Sequence, residues 1–341
     1  MAYTLKLDIY SFQLKKIKSS TTGWNKNGKE VIRHHIENEF VSSFDEVVKS
    51  FINDDTLGKP YMEAFLYNFM KGFNSSFVTN DENTKAISIT EDLQRGFSSQ
   101  RFTAWGMYKG GTTGISRDVY RNNNAKDITG KLLEDNVASL CYFYKLWIPQ
   151  DSNIGFVMLQ SYTSTGCTAL FKERFEKYVE NCGYKVFWKK IIPDSYVKQF
   201  LSNGFIKEIR VEHLKKVARG LQSPTFSLTE AKSVTILNKL NISLQKFFSE
   251  LDFKRKLQQS IQVVDMNYAP EEDNVQLIYE HNGRTVHARL AKVEDILPAF
   301  ILNDALKTPG TQIPDFDAMN SYTDGILDEI KEKIGYTPKS L

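Results

Sequence analysis

Along residues 3–13 apolar and polar positions alternate, with Leu5, Leu7 and Ile9 on one side. That period of two predicts a half-buried strand. The pattern then turns helical. Ser43 stands three residues before Glu46, a capping-box spacing, and Phe44, Val47, Val48 and Phe51 form an apolar stripe behind it. Aromatic residues recur at helical intervals from Tyr61 to Phe73, a pattern read as core packing. From Ala86 the segments AISIT and FTAWGMY are β-rich, KGGTTGISR is a glycine-punctuated turn, and RNNNAKD reads as an exposed loop.

The densest information lies between Val137 and His213. VASLCYFYKLWI and IGFVMLQSY are strands joined by a turn at PQDSN. A helix follows with Leu170, Phe171, Phe175, Tyr178, Val179 and Cys182 on one face, and Asn181 and Gly183 at its end. YKVFWKKII is a strand, and Pro193 and Asp194 open a short helix burying Val197, Phe200 and Leu201. FIKEIRVEH is a further strand. Together these predict an α+β fold: a mixed, ferredoxin-like ββαβαβ module with helices on one face. LQSPTFS, around Pro224, reads as a linker, giving a sheet domain over 1–220 and a helical and β-hairpin domain over 227–341. In the second, Ser227 and Glu230 announce a long helix to about residue 259, two strands flank the HNGR turn, VEDILPAFILND looks helical, and TDGILDEIKEKIG is a final helix closed by Gly335.

Composition adds few exclusions. With 41% hydrophobic and 25% charged residues in 341, the chain is long enough for a sizeable core. No stretch approaches the roughly 20 apolar residues of a membrane helix, and the first residues lack the continuous apolar run of a secretion signal. Three cysteines, Cys141, Cys167 and Cys182, form no CxxC pair. The expected location is the cytoplasm, without membrane insertion. The net charge of +3 is unevenly placed. Residues 167–220 hold 12 Lys/Arg against 6 Asp/Glu, a balance of +6, and residues 264–341 hold 7 against 14, a balance of −7. Either the middle meets an anionic partner, or basic and acidic regions mate.

The loop SYTSTG, between a strand and a helix, sits where many proteins hold phosphate. It lacks the first glycine and the lysine of a P-loop, and its Ser and Thr residues read as caps of the following helix. His281 and His287 fall on opposite faces of their hairpin, His34 and His35 diverge around a helical turn, and His213 stands alone, so no zinc set is visible. No cofactor is expected. Asp118, with Arg117, Arg121, Glu134 and Asp135, is the one place where a metal-dependent nuclease could assemble carboxylates. Cys167 at a helix start faces the core beside Phe171 and reads as structural.

The basic residues are more suggestive. Lys185, Lys189 and Lys190 lie on one strand, Lys207 and Arg210 on the next, and Lys215, Lys216 and Arg219 on the outer side of an expected helix. Phe187 and Trp188 interleave with them. Cations beside aromatic rings suit single-stranded nucleic acid, through phosphate contacts and base stacking.

The block YKLWIPQDSNIGFVMLQSYTSTGCTALFKERFEKY, with KVFWKKIIP and FIKEIRVEH, resembles a group of uncharacterised bacterial proteins from phage-defence and mobile-element gene neighbourhoods. The resemblance covers residues 141–219 and carries over no catalytic residue. It implies a role in antiviral defence. The expectation is a non-enzymatic defence subunit that binds nucleic acid or a protein partner through its basic surface. The alternatives are a metal-dependent nuclease and an assembly protein whose basic and acidic regions mate in a homo-oligomer.

Overall fold

The alternation at the start of the chain opens a strand of 20 residues, β1 (Leu5–Trp24), in the computed structural model. The structure describes residues 4–24, 30–73, 76–121, 124–163, 165–216, 222–223, 226–227, 230–238, 242–244, 274–281, 284–289 and 300–337. The chain divides into two compact units, 1–191 with 299–341, and 192–298. The sequence reading divided it at 220 and 227 instead.

In the first unit β1 is followed by β2 (Glu30–Ile36), α1 (Asp45–Lys49), α2 (Tyr61–Lys71), β3 (Val78–Thr79), β4 (Lys85–Ser88), β5 (Arg95–Ser98) and β6 (Thr103–Thr112). A separate hairpin, β7 (Arg117–Arg121) and β8 (Asn124–Leu132), stands where RNNNAKD was expected to be a loop. Then come β9 (Ala138–Trp147), β10 (Gly155–Tyr162), α3 (Thr168–Asn181) and β11 (Tyr184–Ile191). Ten strands make one sheet in the order β11-β1-β10-β9-β6-β4-β3, with β2 and the later β19 (Phe300–Ile301) also on β1 and β5 on β6. Every pairing in it is antiparallel.

This overturns the ferredoxin-like ββαβαβ module with helices on one face. The hairpin β9–β10, the helix α3 and the strand β11 form where the pattern placed them. But β1 lies between β10 and β11, pairing Leu7 with Gln160 on one side and Phe12 with Trp188 on the other. Helices cover both faces. Phe171 of α3 packs on Tyr108 and Tyr144, and Phe65 and Phe69 of α2 pack on Phe175. The opposite face carries the C-terminal helix, whose Phe316 meets Phe143 and whose Met319, Leu327 and Ile330 are buried. Every residue of β10 is buried, as a central strand between two helical layers requires.

The second unit holds α4 (Asp194–Asn203), β12 (Gly204–Lys216), the short pair β13 (Gln222–Ser223) and β14 (Phe226–Ser227), β15 (Glu230–Leu237), β16 (Ile242–Ser243), β17 (Asn274–His281) and β18 (Arg284–Arg289). Its five-stranded sheet runs β15-β12-β17-β18, with β16 on β12. Phe200 of α4 packs edge-on against Tyr279, 5.5 Å away. The hairpin at HNGR forms with the expected register, His281 opposite Arg284. The long helix expected from 227 does not form over β15: in EAKSVTIL the β-branched Val234, Thr235 and Ile236 favour a strand, and β12 supplies the partner. The rest of that expected helix, 245–259, lies outside the described residues.

The chain then returns to the first unit through β19 (Phe300–Ile301), paired with Lys6 and Leu7 of β1, where VEDILPAFILND was expected to be helical. α5 (Phe316–Lys333) completes the unit. Asp315 caps it by accepting from the Ala318 amide, and Gly335 follows at φ 65°. Among the described residues no helix is long and apolar enough to cross a membrane.

Candidate nucleic-acid interface

The eight basic residues singled out by the sequence are divided between the units. Lys185, Lys189 and Lys190 belong to β11 and the first unit; Lys207, Arg210, Lys215 and Lys216 belong to β12 and the second. Arg219 lies outside the described residues. Lys215 and Lys216 continue a strand, not the outer side of a helix, because β12 runs on to pair with β15 as far as Glu230. Several of the charges are already engaged. Lys185 pairs with Glu180, Lys190 with Asp8 at 3.2 Å, Lys207 with Glu280 at 3.2 Å, and Arg210 with Glu208. Lys189 is exposed and has no acidic partner among the described residues.

The two aromatics of β11 part company. Trp188 is half-buried under α3, with its ring 5.6 Å from Phe12 and 5.4 Å from Phe175. Its indole N–H donates to Glu176 at 2.5 Å. It is core, not a stacking platform. Phe187 points the other way and is 37% exposed. Its ring meets Phe40 edge-on at 5.5 Å, and Lys15 Nζ sits 4.7 Å from the Phe40 ring and 5.4 Å from that of Phe187. Register explains the grouping. Lys15 stands opposite Lys185, Gln13 opposite Phe187 and Ser11 opposite Lys189, so one face of the β1–β11 pair collects Lys15, Phe187 and Lys189.

Beyond this face β1 leaves the sheet and pairs with β2 alone. Burial along β1 falls away from Lys15, and Lys16, Lys18 and Ser19 to Thr22 are exposed. The ribbon carries Lys16, Lys18 and, on β2, Arg33 and His35, all exposed; Lys16, Lys18 and Arg33 have no acidic partner among the described residues. The sequence between its strands adds Lys26 and Lys29, against a single acidic residue, Glu30. Arg33 stands opposite Thr21 and Ile32 opposite Thr22, so successive residues take opposite faces. Ile32 therefore shares a face with Trp24, and these are 63% and 70% exposed. Arg33 and His35 take the face opposite to Ile32 and Trp24, and Lys18 stands at the bulge between Ile17 and Ser19. Sequence reasoning missed the ribbon because it placed His34 and His35 on a helix. The signal was there in the β-branched Thr21 and Thr22 and in Val31, Ile32 and Ile36, on either side of the turn-prone sequence NKNGK.

The other candidates resolve differently. The SYTSTG loop is a connection, but its hydroxyls do not cap α3: the cap position is Cys167, without a side-chain hydrogen bond. Instead Thr165 shares a hydrogen bond with the Tyr142 hydroxyl at 2.7 Å, and Thr163 Oγ1 lies within bonding distance of the Thr4 backbone. Cys167 is buried, and burial pushes its thiol up, away from the thiolate a nucleophile needs. Asp118 is on β7 opposite Lys131, and Glu134 takes part through its carbonyl, which accepts from Gly114 N and Thr113 Oγ1. Among the described residues no three His, Cys, Asp or Glu side chains gather to hold a metal.

One polar cluster escaped the sequence altogether. Lys145, in the middle of β9, is 1% exposed. Its ammonium donates to Asn320 O at 3.0 Å, Asn320 Oδ1 at 2.8 Å and Asp324 Oδ1 at 2.6 Å, with the Trp105 ring 5.5 Å away. Burial pushes its pKa down to about 8 against the opposing pull of Asp324. Arg101 holds Asp328 through both carboxylate oxygens, at 2.8 and 2.9 Å, and reaches Asp324 at 3.4 Å. Lys331 lies 3.8 Å from Asp328 and 5.3 Å from the Trp147 ring. All three ammonium hydrogens of Lys145 are used and no solvent reaches it, so the cluster fastens α5 to the sheet. A lone lysine in CYFYKLW, with Asn320, Asp324 and Asp328 spaced by four on one helix, was the available signal.

No protein-family model, no curated protein and no solved structure matches this chain.

Proposed function

We propose that the chain binds nucleic acid through the β1–β2 ribbon and the adjoining Lys15, Phe40, Phe187 and Lys189 face. The observation that carries the reading is the run of exposed cations without acidic partners among the described residues, Lys16, Lys18, Arg33 and Lys189, beside an exposed ring pair. Phosphates would meet the cations, and unstacked bases the rings of Phe187 and Phe40. Single strands suit this face, since a duplex hides its base faces. The proposed setting, bacterial antiviral defence, rests only on the resemblance of residues 141–219.

The test is fluorescence anisotropy with a labelled 20-nucleotide single strand at two salt concentrations. Binding should weaken steeply as salt rises, as counterion release requires. Lys18→Glu with Arg33→Glu and Lys189→Glu should remove it, while Lys207→Glu, whose lysine is paired with Glu280, should change little. Binding that survives the triple charge reversal would refute the assignment. Loss of binding on Trp24→Ser with Ile32→Ser alone would point to a protein partner on the Trp24 and Ile32 face of the ribbon.

A further inference from the structure

A groove of about 630 Å³ runs between one side of α2 and the strand β5, in the size range of sites that receive ligands. Leu66, Met70 and Ile89 line it, with Tyr67 and Phe97 exposed beside them. β5 pairs with β6 alone, so its other edge has no strand partner among the described residues.

The ladder fixes which backbone groups that edge presents. The Met107 amide donates to the Gln94 carbonyl at 2.9 Å, and the register continues as Arg95 opposite Gly106 and Gly96 opposite Trp105. Bonded and non-bonded pairs alternate in an antiparallel ladder. Gly96 and Ser98 therefore bond to β6, and Arg95 and Phe97 turn their N–H and C=O outward. The same two residues line the groove with their side chains. Gly96, between them, faces the other way: a Cβ there would stand 2.6 Å from the Trp105 ring. Arg95 has no acidic partner among the described residues and donates only to the Glu91 carbonyl, at 2.9 Å. The other two cations of the groove are engaged, Lys59 with Glu63 at 2.6 Å and Lys71 with Asp55 at 2.5 Å.

We infer that this groove receives an extended peptide segment of a partner protein, added to β5 as a further strand, with an acidic residue opposite Arg95 and an apolar residue opposite Phe97. Outward peptide groups two residues apart match the repeat of an extended chain, and the apolar stretch of Leu66, Met70 and Ile89 beside Arg95, with Glu91 also in the lining, sets the side chains it takes. A ligand without peptide groups would leave that edge unused.

The probe is the hexapeptide acetyl-Thr-Ile-Thr-Glu-Thr-Ile-amide, added to the full chain. Its control is the same peptide N-methylated at both Ile and the Glu, which cannot complete the ladder. The unmodified peptide should slow hydrogen exchange at the Arg95 and Phe97 amides, and the control should not bind. Arg95→Glu should weaken binding about tenfold, and a peptide with Lys for Glu should recover it. Equal binding of the methylated control, unchanged exchange at those two amides, or no binding at millimolar peptide would each overturn the inference. So would a concentration-dependent doubling of mass abolished by Phe97→Lys, which would give the edge to a second copy.

Discussion

Between Leu5 and Leu14, β1 pairs with β10 as far as Phe12, with β19 at Lys6 and Leu7 and with β11 from Ile9, and it buries Leu5, Leu7, Ile9, Phe12 and Leu14. Between Ile17 and Trp24 the same strand pairs with β2 alone, and from Lys18 to Thr22 its side chains meet solvent. The backbone conformation is common to both halves; what changes is the number of layers around it. The inner half buries Leu5, Leu7 and Ile9 on one face and Phe12 and Leu14 on the other, while Lys6, Asp8 and Gln13 stay part-exposed. The outer half is free to carry charge, and it does.

The comparison is broken most directly by truncating one large side chain in each half. Phe12 stacks on Phe44 at 5.6 Å and meets Phe175 and Trp188. Phe12→Ala should cost about 3–5 kcal/mol in urea unfolding. Trp24→Ala should change stability by less than about 0.5 kcal/mol. Equal costs would mean that the ribbon is packed against something that the described residues do not show.

Next in size is the fastening of α5. Lys145→Met removes the partner of Asp324, which keeps Arg101 at 3.4 Å and some solvent. A loss of about 2–3 kcal/mol is expected, with faster amide exchange across residues 316–333. Adding Asp324→Leu should recover part of it, because the stranded carboxylate is then gone. No change in α5 exchange would mean that Phe316, Met319 and Ile330 hold the helix unaided.

The same lysine gives a smaller, pH-dependent effect. Its folded pKa, about 8, is depressed below the ordinary 10.5. Above pH 8 the native chain has released a proton that the unfolded chain still binds, so this group makes stability rise with pH up to about 10.5. Tyrosines act in the opposite sense above pH 10: burial raises Tyr10 to about 12, so the native state keeps a proton that the unfolded state loses. The thiols of Cys141, Cys167 and Cys182, raised by burial from their ordinary 9, oppose the rise in wild type and variant alike, so the difference between the two proteins over the window from pH 8 to 10 isolates Lys145. There the wild type should gain about 2 kcal/mol relative to Lys145→Met. A wild type that loses ground to the variant over that window would reverse the assignment.

What the sequence made legible was local. The turn PQDSN, the apolar stripe of α3, the Asn-Gly hairpin and the last helix each carry their signal within a few residues. The place of β1 does not: its partners are Phe156 to Tyr162 and Tyr184 to Ile191, and nothing in LKLDIY specifies either. EAKSVTIL failed for a related reason, since its strand exists through β12. Of the candidate site, Lys189 and Phe187 were legible through strand parity. Lys16, Lys18 and Arg33 were not, because the alternation was followed only to residue 13 and His34 and His35 were read as helical, and Lys145 needed both β9 and α5 to be meaningful.

The central place of β1 also sets an order of events during synthesis. Its inner half leaves the ribosome first, yet the strand that closes its second side ends at Ile191. At typical elongation rates the 177 residues from 15 to 191 take roughly 10 to 35 seconds. For that time the strand keeps at least one unpaired edge, and until β10 is complete at Tyr162 it has two. The nascent chain is thus a natural client for a holding chaperone, and slow codons before residue 155 would prolong the exposure.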